Sequence, residues 1–147
     1  MSPTIFTIGY EGADPERFAA ALDHAGVAVL ADVRAVALSR KRGFSKNALR
    51  ANLLAGGMAY EHFVALGTPK AGREAARAGD AAGLRAVYET QLATPEAQDA
   101  FADLETLARQ RPICLMCFER DPALCHRRML AERLEGLGFR TVDLTVP

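Results

Sequence analysis

Residues Leu115 to Arg128, Leu-Met-Cys-Phe-Glu-Arg-Asp-Pro-Ala-Leu-Cys-His-Arg-Arg, collect two thiols, an imidazole, carboxylates and guanidiniums in one short segment. An apolar run ends on Cys117, a charged loop follows, and Cys125-His126-Arg127 introduces a helical pattern. A cysteine at a strand end, beside a basic loop and a helix N-terminus, sits where a thiol is made into a nucleophilic thiolate. Glu119 and His126 are the neighbours able to carry a proton. Glu119 also opposes thiolate formation, being a carboxylate two residues from the sulfur. The expected catalytic set is Cys117, Glu119 and His126. No metal ligand is assigned. Cys117, Cys125 and His126 offer metal donors as an alternative, but adjacent residues of a helix point about 100° apart and seldom share one ion. The paired Cys-x-x-Cys of many zinc sites is also missing. A Cys117–Cys125 redox pair is a further alternative.

A second chemistry lies earlier in the chain. From Arg34 to Arg50 there are six basic residues (Arg34, Arg40, Lys41, Arg42, Lys46, Arg50) and no acid, within a chain of zero formal net charge. One basic stretch in a neutral protein points to an anionic ligand held at one place. Arg34 and Arg40 carry forked guanidiniums suited to phosphate or carboxylate, and Arg127 adds a third. The helix expected to open at Asp121-Pro122 would contribute backbone N–H groups and a positive dipole end. Gly9, Tyr10 and Ser39 complete the expected ligand-binding set. A structural alternative has Arg34 paired with Asp32 or Glu11, tying loops together. The expected partner is an anionic small molecule or a nucleotide. The alternatives are a non-catalytic nucleic-acid module and a metal-binding protein using Cys117, Cys125 and His126. The cofactor, the reaction and the oligomeric state are left open.

These residues can meet only if the intervening elements bring three segments to one edge. Thr4 to Ile8 reads as a strand stopped by Gly9. Asp14-Pro15 reads as a helix start with Phe18, Ala21 and Leu22 at helical spacing, closed by Gly26. Val27 to Val33 is a strand apolar on both faces, as a strand covered by helices should be. Ser45 N-caps a helix through Leu49, Leu53 and Leu54, and Met58 to Phe63 is a further strand or extended piece. Gly67 to Gly83 lacks an apolar face and reads as a loop or weak helix. Leu84 to Leu92 and a helix capped by Thr94 come next, then the strand Ile113 to Cys117, the helix from Asp121-Pro122, and a last strand from Arg140 to Val146. Cys114 falls within a strand and reads as a buried small hydrophobe. This alternation defines an α/β protein, a single three-layer domain over residues 1–147 with a mainly parallel sheet. Ligands then bind at the carboxyl edge of the strands.

The bulk properties agree. Half of the 147 residues are apolar and 24% are charged, ordinary for a globular chain. The longest apolar stretch, Gly26 to Ala31, is far below the roughly 20 residues of a membrane span. No secretory signal opens the sequence, three cysteines do not make a disulfide scaffold, and a cytoplasmic location is expected.

Several motifs, taken in order, resemble the domain-of-unknown-function 488 (DUF488) family of small bacterial and archaeal proteins. They are Thr7-Ile8-Gly9-Tyr10, Asp32-Val33-Arg34 with Ser39-Arg40, Tyr60 with His62, Leu66-Gly67-Thr68, and Cys117-Phe118-Glu119-Arg120-Asp121-Pro122 with Cys125-His126-Arg127. The resemblance runs nearly end to end. Ala35-Val36-Ala37 stands where the family usually carries a proline. The resemblance implies a fold and a shared site but no established reaction.

Overall fold

The computed structural model describes residues 2–147 and holds a five-stranded, wholly parallel sheet. The strands are β1 (Thr4–Gly9), β2 (Val29–Asp32), β3 (Ala59–His62), β4 (Ile113–Cys117) and β5 (Arg140–Leu144), in the spatial order β3-β2-β4-β1-β5. The helices are α1 (Pro15–His24), α2 (Lys46–Ala55), α3 (Lys70–Arg77), α4 (Ala81–Leu92), α5 (Pro95–Gln110) and α6 (Arg127–Glu135).

The chain winds outward from β1 through β2 to β3, then returns through β4 to β5. Parallel crossovers are right-handed, so reversing direction along the sheet changes the face on which the connecting helices lie. The core shows this division. Phe18 and Leu22 of α1 and Leu49 and Leu53 of α2 pack on Ile8, Leu30, Cys114 and Met116. Tyr88, Leu104, Leu130 and Leu134, from α4, α5 and α6, pack on Ile5, Val29, Ile113, Leu115 and Cys117. The alternation of β4 therefore sends Cys117 to the α4–α6 side and Cys114 to the other. Cys114 is fully buried, as expected of a small core hydrophobe. The three-layer α/β expectation holds. Among the described residues, no helix is long and apolar enough to cross a membrane.

Local signals set most boundaries. The Asp14 carboxylate accepts from Arg17 N–H with Pro15 in the first turn, and Thr94 Oγ1 accepts from Ala97 N–H ahead of Pro95. One open reading is resolved and two expectations need correction. Of the loop and the weak helix offered for Gly67 to Gly83, the helix holds: the segment carries α3 and the start of α4. Only Gly72 and Ala76 of α3 are buried, and residues this small leave no apolar stripe to read. Ser45 precedes α2 but does not cap it with its side chain, because its hydroxyl is bonded to the Ser39 backbone. Asp121-Pro122 opens only a 3₁₀ turn, Pro122–Leu124, and α6 begins at Arg127. Cys125, extended at φ −134° and ψ 141°, separates the two, so Cys125 and His126 do not sit side by side within a helix.

Candidate functional site

The carboxyl ends of β1, β2 and β4 are adjacent, and loops leaving β4 and its two neighbours depart toward opposite faces. Such a switch point leaves a crevice. A cavity of about 370 Å³ lies there, lined by residues that include Tyr10, Arg34, Thr68, Arg73, Arg77, Cys117, Phe118, Glu119 and His126. Arg34 and Cys117, 83 positions apart in the sequence, thus face one hollow.

Two glycines allow the backbones to close around it. A Cβ on Gly9 would fall 1.8 Å from the Glu119 carbonyl oxygen, and one on Gly67 would fall 2.1 Å from the Ala35 amide nitrogen. Neither side chain could be accommodated without moving backbone. Gly9 therefore shapes the site through its close approach to the Glu119 backbone.

On the β2 side the polar groups are bonded to one another. Arg34 donates Nε to Asp32 Oδ1 at 2.9 Å and Nη2 to Oδ2 at 2.7 Å, while Nη1 donates to the Phe44 carbonyl and the Tyr10 hydroxyl. Asp32, fully buried, also accepts from the Arg34 amide and the Tyr60 hydroxyl. Tyr60 keeps its proton above the ordinary range, through burial first and the Asp32 bond second. Tyr10 stacks on Phe44 with centroids 4.6 Å apart, and His62 donates Nε2–H to the Arg34 carbonyl at 2.6 Å. Arg34 was expected as a free anion clamp, but most of its fork is committed to Asp32. The pairing alternative describes it better. Ser39 bonds Ser45 and the Lys41 amide within its own loop. Arg40 is exposed and does not line the cavity.

On the β4 side the groups converge differently. The sulfurs of Cys117 and Cys125 are in bonding contact, with Cα atoms 7.3 Å apart. The ligand atoms of Cys117, Cys125 and His126 all lie within 4.8 Å of one another. His126 Nε2 lies 2.6 Å from the Val33 carbonyl oxygen, which can only accept, so Nε2 carries the proton and Nδ1 presents a lone pair. Nδ1 faces Cys125 Sγ at 3.9 Å. Burial pulls the His126 imidazole down to about 4, so it is neutral at pH 7. Burial also raises the Glu119 carboxyl above its usual value. Its Oε2 lies 3.5 Å from Cys117 Sγ.

Arg127, expected to hold a ligand anion, is fully buried beneath the site instead. It donates Nη1 to the Glu119 carbonyl and to Cys117 Sγ at 3.2 Å, and Nη2 to the Arg120 carbonyl. Among the described residues no carboxylate pairs with it. The guanidinium thus pins the Cys117–Arg120 segment and places positive charge against a sulfur.

Sequence reasoning missed three polar lining residues. Arg73 and Arg77 stand four apart on α3, so both face the cavity. The Arg-x-x-x-Arg spacing was the available signal. Thr68, 3% exposed, has a hydroxyl without any hydrogen-bond partner. Gly72 leaves it room, since a Cβ there would lie 2.0 Å from Oγ1.

Fold and site together define a doubly wound α/β protein whose strand-end loops wall a cavity. Within that class, a family model described as "domain of unknown function DUF488" matches residues 14–134, and the chain belongs to that family. The searches of curated proteins and of solved structures returned no match.

Proposed function

We propose that the strand-end cavity binds a small phosphate-bearing molecule, a nucleotide being the best-fitting class. The observation that carries this reading is the pair of guanidiniums, Arg73 and Arg77, on a cavity wall that also includes Thr68, whose buried hydroxyl has no partner. A buried hydroxyl without a partner costs roughly 1–3 kcal/mol, and a phosphate oxygen would satisfy it. Arg77 enters no ion pair among the described residues, which leaves its guanidinium available. Arg73 spends one donor on the Thr68 carbonyl at 2.8 Å. Glu119 is the single carboxylate of the lining, so the hollow is net positive. Val36, Leu38 and Phe118 are large exposed apolar side chains on the same lining and offer a surface for a base or another apolar part. Glu119 is the group placed to exchange a proton with a bound ligand.

Calorimetric titration with inorganic phosphate, pyrophosphate and mononucleotides tests this. At least one should bind, and Arg73→Ala with Arg77→Ala should weaken it tenfold or more while Arg40→Ala leaves it unchanged. Failure of every probe, or equal loss in the Arg40 variant, overturns the reading. Affinity for single-stranded nucleic acid that falls steeply with salt would favour a polyanion surface instead.

A further inference from the structure

We infer that Cys117, Cys125 and His126, in their thiol form, make a metal site for a borderline-soft divalent ion of the zinc type. The fourth coordination position would open into the cavity. The inference stands on the three donors and their supports and does not depend on the phosphate reading.

The objection from helical spacing does not apply. Cys125 is extended and His126 is the residue before α6, so the chain turns between them and both ligand atoms reach one point. Each donor is held by a partner that favours its metal-binding form. His126 donates Nε2–H to the Val33 carbonyl, which fixes the tautomer with Nδ1 as the donor atom, the arrangement most metal-bound histidines show. The ring packs edge-on against Tyr88 with centroids 4.9 Å apart, which locks its orientation. Cys125 Sγ accepts from the Arg127 amide at 3.4 Å, at the positive end of α6. Cys117 Sγ accepts from the Arg127 guanidinium at 3.2 Å. A buried cation without a carboxylate needs a counter-charge, and a thiolate supplies it.

The backbone spacing agrees. A disulfide joins Cα atoms about 4.4–6.8 Å apart, whereas these stand 7.3 Å apart. Zinc bonds of about 2.3 Å to sulfur and 2.0 Å to nitrogen put tetrahedral donors roughly 3.5–3.8 Å from one another. The sulfurs need only part to admit the ion. Two thiolates select a zinc-type ion over magnesium or calcium. Cys117 and His126 line the cavity while Cys125 lies behind them, so the free position faces the cavity. Three protein ligands and one open position is the pattern of a reactive rather than a structural zinc. A phosphate or water could occupy the fourth place.

The test uses the full, chemically reduced protein. Zinc titration against a chromophoric chelator should give one ion per chain, with two of the three cysteines losing alkylation by iodoacetamide when zinc is present. Cobalt(II) should show tetrahedral d–d bands and a thiolate charge-transfer band. Cys125→Ser should weaken zinc binding at least 100-fold, with circular dichroism verifying the fold. Because the alkylation and cobalt measurements use unaltered protein, an unfolded variant does not block the test. Less than a tenth of an ion per chain, a cobalt spectrum without the thiolate band, or ready closure of the thiols to a disulfide while zinc is refused overturns the inference. Phosphate binding measured on metal-stripped protein separates this result from that of the phosphate reading.

Discussion

The two sides of the strand-end rim use the same kinds of residue to opposite ends. Around β2, Asp32, Arg34, Tyr10, Tyr60 and His62 bond to one another and to backbone. Across the cavity, Thr68 Oγ1 and Arg127 Nε have no hydrogen-bond partner, Arg77 enters no ion pair among the described residues, and the two sulfurs and a His126 ring nitrogen lie within 4.8 Å of one another. Buried polar groups are normally satisfied, so the satisfied side is architecture and the unsatisfied side is where the proposed ligands would bind. Arginine content alone does not separate them. What each guanidinium already touches does.

The largest expected effect strikes the closed side. Asp32→Ala strands the Arg34 guanidinium in the interior and should cost about 3–5 kcal/mol, read from denaturant midpoints. A loss below about 1 kcal/mol would erase the distinction. Next comes the seam between the two sides: Gly9→Ala drives a Cβ into the Glu119 carbonyl and should cost roughly 1–3 kcal/mol or more, with a lower melting temperature. On the open side, Thr68→Val replaces an unpartnered hydroxyl with a methyl group. It should leave stability unchanged within about 0.5 kcal/mol, or raise it, while weakening phosphate binding. A clear loss of stability would mean that the hydroxyl has a partner inside the protein. The smallest effect is alkaline. The Tyr60 proton is held more firmly in the folded state, so its contribution is complete below about pH 10, the unfolded value. It is lost as pH rises toward the higher folded value. Tyr60→Phe should flatten that decline, and an identical decline in the variant would place its origin elsewhere.

The positions that sequence reading located follow from simple geometry. Once β1, β2 and β4 are recognised as parallel, Gly9, Arg34 and Cys117 must reach one edge. Tertiary choices hid the rest. Asp121-Pro122 carries the same local signature as Asp14-Pro15, yet only the latter starts a long helix, because Cys125 turns back toward Cys117. That turn brings Cys125 and His126 together and cannot be read from capping rules. Arg73 and Arg77 were hidden because α3 buries Gly72 and Ala76, which hydrophobic periodicity does not register. The commitment of Arg34 to Asp32 was readable as an alternative, since the two are neighbours on β2's end. Which alternative won depended on the distant Tyr10, Tyr60 and Phe44.

The lightness of α3 has a consequence of its own. A wall anchored by a hydrogen atom and a methyl group has little apolar surface to lose when it peels away. Amide deuteration should therefore reach residues 70–77 before α5 or α6, and occupancy of the hollow should slow it there more than anywhere else in the chain.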